Sequence, residues 1–123
     1  MKVKITERGW AGHFIDSANC RFRRNTLVEY GEKRIVVSTV GLYVPENASK
    51  FEEIGHGRFF ETMAFEARKV NYPTGAFYET DVFKEVSFDS PWSYDNLGQD
   101  FEANTGHDVV VNEIAEKLKA KKL

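Results

Sequence analysis

From Cys20 to Tyr43 the chain reads CRFRRNTLVEYGEKRIVVSTVGLY, and here residue propensity, alternation and turn chemistry agree. Two runs rich in β-formers flank Gly31-Glu32. A glycine at the first central position is what a two-residue type II′ hairpin requires. With that turn, Tyr30 faces Lys33, Val28 faces Ile35, Thr26 faces Val37 and Phe22 faces Gly41. The other face pairs Glu29 with Arg34, Leu27 with Val36, Asn25 with Ser38 and Arg23 with Val40. Opposite charges at Glu29 and Arg34 support this register, because like charges directly across a ladder would oppose it. Such a hairpin commits the chain to an antiparallel sheet.

The remaining segments extend that sheet. Met1–Glu7 (MKVKITE) alternates, with Val3 and Ile5 on one side and Lys2, Lys4 and Thr6 on the other, which predicts a half-buried strand. The glycines of Arg8–Phe14 predict a bulge before a short second strand. Pro45 ends the hairpin's second strand, and 46–57 reads as an irregular connection with one helical turn around Ser49–Ile54. Arg58–Lys69 (RFFETMAFEARK) fits either a helix or a strand. We favour the strand, because a second aromatic run, Phe77–Phe88, follows across the turn-forming Asn71-Tyr72-Pro73-Thr74-Gly75. Ser93–Asn104 reads as an acidic loop. Asp108–Lys121 reads as a helix capped by Asn104 or Thr105, with a stripe of Val110, Val111, Ile114 and Leu118 and a Glu113–Lys117 pair. The expected fold is α+β, a single domain over 1–123: a curled antiparallel sheet of five or six strands with the C-terminal helix packed on it.

At 123 residues the chain can bury a core without a disulfide or metal, and its single cysteine, Cys20, excludes an internal disulfide and suggests a reducing compartment. No apolar run in the first twenty residues is long enough for a signal peptide or membrane span, so the expected location is cytoplasmic, with no membrane partner. Net charge is only −2. Its distribution is uneven: residues 1–44 carry eight Lys/Arg against four Asp/Glu, and 45–116 carry five against fifteen. Such blocks bear on partners more than on fold.

Catalytic signatures are weak. His13, His56 and His107 lack metal-ligand spacing, no phosphate-binding glycine loop or nucleophile elbow occurs, and we assign no metal, cofactor or catalytic residue. Asp95–Asp100 lacks the order of a calcium loop. Gly55–Arg58 reads as a flexible loop in preference to an anion nest. Cys20 reads as a small buried hydrophobe. The alternative is a small enzyme between the hairpin and the acidic segment, using Cys20, His13 or His56 and a carboxylate. The basic set Arg21, Arg23, Arg24, Lys33 and Arg34, interleaved with Phe22 and Tyr30, could track phosphates. Against nucleic-acid binding stands the sequence pI of about 5.9. Trp10, Tyr72 and Trp92 fall near predicted bends, and aromatic residues are enriched at binding surfaces.

The strings Arg21–Gly41, Phe59–Phe65 and Asp89-Ser90-Pro91-Trp92 resemble a group of short uncharacterised bacterial or prophage-encoded proteins with no assigned activity. That resemblance implies an accessory role on a mobile element and carries no catalytic residues. The reading is thus a non-enzymatic protein-interaction module, with a nucleic-acid-binding regulator and a small enzyme as alternatives and the oligomeric state open.

Overall fold

Gly31 sits at φ 61°, and Glu32 is not among the residues with positive φ, which fits a type II′ turn and not a type I′ one. Around it, strands β2 (Cys20–Tyr30) and β3 (Lys33–Tyr43) pair in the register read from the sequence, from Tyr30 opposite Lys33 to Phe22 opposite Gly41. The structure, a computed structural model, describes residues 2–8, 18–55, 57–73 and 75–123, with backbone alone for 70–72 and 75–83. Four more strands complete the sheet: β1 (Lys4–Glu7), β4 (Phe60–Tyr72), β5 (Gly75–Val86) and β6 (Ser93–Tyr94). Helix α1 (Asp100–Lys119) follows them. The sheet is an antiparallel meander in the order β1-β2-β3-β4-β5, with β6 added to β4. It is not closed, and α1 packs on one face of β2, β3 and β4. The architecture is α+β.

Arg58–Lys69 resolves as strand, because Phe60–Glu66 lies against the central β3 and its alternation serves two buried faces. Beyond Glu66, β4 continues with β5 as a two-stranded ribbon turning at Pro73. The β4–β5 register slips near Glu66: Phe65 pairs with Glu85, whereas Ala67 pairs with Thr80. The extra β5 residues there form a bulge that offsets the ribbon from the sheet.

Three expectations are corrected. The helix begins at Asp100, eight residues before the expected start, and Gln99 at its N-cap makes no side-chain cap bond. Asn104-Thr105-Gly106 resembles a helix start because each residue is a poor helix former. Tertiary contacts override that: Ala103 packs with Phe60 and Tyr94, and Gly106 faces the Tyr94 hydroxyl where a Cβ would collide. The half-buried β1 is instead exposed at all four positions, Ile5 by 51%, because it lies at the sheet edge. No helical turn forms around Ser49–Ile54; that connection carries isolated bridges, Tyr43 with Glu52 and Gly55 with Arg58. The strand expected within Arg8–Phe14 falls almost wholly outside the described residues.

Two apolar clusters lie between helix and sheet. The larger joins Val28, Ile35, Val37 and Ala64 to Val110, Val111, Ile114, Ala115 and Leu118, so the expected stripe is the buried one. The smaller joins Phe60, Tyr94 and Ala103, with Phe22 against Phe60 edge-on at 5.6 Å. Gly41 permits this second cluster: a Cβ there would enter the Phe60 ring. The opposite face of the sheet is buried as well, at Leu27, Val36, Val40 and Phe65.

Candidate functional site

Between the two apolar clusters the helix side of the sheet carries a polar band, Thr26 on β2, Thr39 on β3 and Thr62 on β4, and His107 of α1 descends onto it. All four are at most 1% exposed. His107 Nε2 lies 2.7 Å from Thr26 Oγ1, His107 Nδ1 lies 2.6 Å from Thr39 Oγ1, and Thr39 Oγ1 lies 2.7 Å from Thr62 Oγ1. At the other end Thr26 donates to Glu7 Oε2 at 2.8 Å. Glu7 also accepts from Arg24 at 3.1 and 3.0 Å, and Arg24 reaches Asp108 at 2.9 Å and both oxygens of Asn104 at 3.2 Å.

Donor counting gives this chain a direction. An ionised carboxylate only accepts, so the single Thr26 hydrogen goes to Glu7 and Thr26 accepts from His107 Nε2–H. Neutral Nδ1 then accepts from Thr39, which in turn accepts from Thr62. Burial, aided by the Arg24 cation, pushes the imidazole pKa down to about 4, against the opposing pull of Glu7 and Asp108. Arg24 and Thr26 hold the Glu7 carboxyl below its usual value although partial burial opposes them. Every ring nitrogen is used and the ring touches no solvent. Such a saturated network fixes how α1 sits on the sheet.

A second polar place is open. After Val86, paired with Ala64, the chain leaves β4 and returns as β6, paired with Phe60 and Glu61. In between, the Trp92 carbonyl accepts the Thr62 N–H at 2.7 Å. From α1, Glu113 accepts the Asp89 N–H at 2.6 Å, the Ser90 N–H at 2.9 Å and the Ser90 hydroxyl. Burial opposes ionisation of Glu113, but bonds from Lys117, Ser90 and the Asp89 amide pull its pKa to about 2. The 87–92 segment thus stands off β4 as a fixed wall. It encloses a cleft of about 480 Å³ lined by Arg58, Glu61, Thr62, Met63, Glu85, Phe88 and Trp92 among others. The Arg58 guanidinium lies 5.1 Å from the centroid of the Trp92 ring, and its Nε donates to Glu61 at 3.1 Å. Trp92 is 42% exposed.

The other sequence candidates are dispersed. Arg24 is the tie between β1, β2 and α1 described above. Arg34 pairs with Glu29 at 3.3 Å and Lys33 approaches Glu66 at 4.0 Å. Arg21 is exposed, Arg23 is partly buried, and alternation puts both on the face away from the helix. The five therefore do not form one basic surface. Trp10, His13 and His56 lie outside the described residues. Tyr72 ends β4 opposite Gly75 at the ribbon's tip, its side chain outside the described residues. Cys20 is a buried free thiol whose pKa burial raises to about 11. Asp95 and Asp100 flank a turn leading into α1, in which the Asn96 N–H bonds the Gln99 side chain. Among the described residues no group of three or more His, Cys, Asp or Glu is placed to hold a metal, and no helix is long and apolar enough to cross a membrane.

Sequence reading singled out Trp92, weighed Arg58 only within the Gly55–Arg58 loop, and missed its other neighbours. Arg58, Glu61, Glu85 and Phe88 come from separate strands and a loop, and no linear spacing announces them. No protein-family model, curated protein or solved structure matches the chain.

Proposed function

We propose that this protein is a non-enzymatic interaction module that receives a segment of a partner protein in the Trp92 cleft. One observation carries the reading: a large aromatic ring, 42% exposed, stands over a cleft whose outer wall is pinned in advance by Glu113. Preformed concavities with a few fixed polar groups suit binding, because little is lost in ordering them. The buried imidazole contrasts with this, being closed to solvent and bonded on both nitrogens. The accessory role implied by the resemblance to prophage-encoded proteins fits a module of this kind. A buried free thiol at Cys20 fits work in the reducing cytoplasm.

Selection against a displayed library of random twelve-residue peptides tests the reading. The parent should enrich binders, and Trp92→Ala, verified as folded by circular dichroism, should lose them. Equal enrichment by both proteins would move the site elsewhere.

A further inference from the structure

The ionic groups of the cleft are unequally engaged. Arg58 is already stacked on Trp92 and bonded to Glu61. Glu85, on the β5 side, is exposed and has no ion-pair partner among the described residues. Alternation in β4, together with the Phe65–Glu85 pairing, places Glu61, Met63 and Glu85 on one face. A ligand entering there meets a free carboxylate, the apolar Met63 and Phe88, and the edge of a tryptophan whose face already holds one guanidinium. An anionic ligand would meet Glu85, while Arg58, the one cation lining the cleft among the described residues, is already compensated. The stretch that supplies the cleft, residues 45–116, has an acidic balance, five Lys/Arg against fifteen Asp/Glu, although Lys84, Lys117 and Lys122 line the neighbouring hollow on the other side of Glu85.

We propose that the partner segment is basic, and that it places an arginine or lysine side chain between Glu85 and the aromatic wall of Phe88 and Trp92. This rests on the reading of the cleft as a protein-binding site and names the chemistry it selects. The long aliphatic stem of such a side chain covers Met63 and Phe88 while its head reaches Glu85. The aromatic wall adds cation–π attraction. Arg58 shows that this corner of the fold holds a guanidinium between an indole and a carboxylate.

The same displayed-peptide selection decides both steps, and its outcomes separate. The expected result is that binders lost on Trp92→Ala share an Arg or Lys at one position. For a synthetic peptide of that sequence, Glu85→Gln should weaken binding roughly tenfold, as should replacing its basic residue with norleucine, and added salt should weaken the parent's binding. Trp92-dependent binders that are neutral or acidic, or that ignore Glu85→Gln and salt, would overturn the basic-segment inference while leaving the cleft as a binding site. No Trp92-dependent enrichment at all would remove both.

Discussion

Thr62, beneath the helix, lies between Glu61 and Met63 of the Trp92 cleft along β4, yet the polar groups of the two regions are satisfied to different degrees. Thr62 points into a chain in which Thr62, Thr39, His107 and Thr26 use their donors on one another and finally on the Glu7 carboxylate. Its neighbours Glu61 and Met63 face a cleft in which Glu85 has no partner among the described residues. A buried polar group without a bond costs on the order of 1–3 kcal/mol, so the enclosed chain must close on itself to be tolerated. A carboxylate at a solvent-filled cleft carries no such demand and can wait for a ligand. Saturation marks what holds the fold, and incompleteness at an open edge marks what is available for binding.

The sharpest way to break that contrast is to remove core from the saturated side. Ile114→Ala should cost about 2–5 kcal/mol in a urea titration, because Ile114 is fully buried in the larger cluster. The spread depends on how far Val110, Leu118 and the sheet relax into the space. A variant that unfolds at the parent's midpoint would mean that α1 contributes little to holding the sheet.

The hairpin was legible residue by residue because its turn, charges and alternation are local. The buried stripe of α1 was legible for the same reason, since period alone selects Val110, Val111, Ile114 and Leu118. The helix start was not, because Asn104, Thr105 and Gly106 favour a cap locally, while Arg24 bonded to Asn104, Tyr94 against Gly106 and Phe60 beside Ala103 hold this turn helical from elsewhere in the chain. β1 misled in the opposite direction: alternation identified the strand but could not show that its place at the edge leaves Ile5 exposed. His107 looked isolated for a related reason. Its partners are threonines on three strands, a residue type that carries no metal or catalytic spacing signal. Of the cleft only Trp92 stood out.

Titrating His107 sharpens the same contrast. Its folded pKa of about 4 lies below the ordinary 6.5, so between these values the unfolded chain binds the extra proton. The stability this neutral imidazole contributes is therefore fully present above pH 6.5 and lost as pH falls towards 4. Between pH 7.5 and 5 the parent should lose on the order of 2 kcal/mol more than His107→Leu does. At pH 7.5 the variant itself should be less stable by about 1–3 kcal/mol, through the Thr39 hydroxyl, whose hydrogen loses its acceptor. Parallel pH profiles for the two proteins would show that the ring is open to protonation in the fold, and would sink the saturated-network account.

Glu113 connects the two regions, since it stands on α1 and holds the 87–92 wall. Glu113→Gln keeps the shape, loses the Lys117 pair at 2.8 Å and turns an amide donor towards N–H groups that need an acceptor. A global loss of about 1–2 kcal/mol is expected. The diagnostic readout is Trp92 emission, measured with Trp10→Phe in both parent and variant so that Trp92 is the sole tryptophan; it should shift to longer wavelength at urea concentrations where the circular dichroism of the helix is unchanged. If emission and helix signal change together, the wall is held by the rest of the fold and the cleft is less independent than we argue.

The smallest effect is a gain, and it tests whether stabilising the helix side leaves the cleft alone. α1 ends in a backbone cap in which the Lys122 N–H bonds Lys117 O at 2.8 Å and the Lys121 N–H bonds Leu118 O at 3.1 Å. Both bonds run past Lys121, which sits at φ 57°. This is the six-to-one and five-to-two pattern that a glycine usually completes, because a Cβ is disfavoured in the left-handed region. Lys121 adopts it regardless, and removing the strain by Lys121→Gly should outweigh the added freedom of the unfolded chain. A net gain of about half a kcal/mol is expected, appearing as a higher urea midpoint with an unchanged slope. Trp92 emission and peptide binding should stay at parental values, since neither cap bond reaches the 87–92 wall. A stabilised variant with altered cleft binding would show that α1 is coupled to the cleft through more than Glu113.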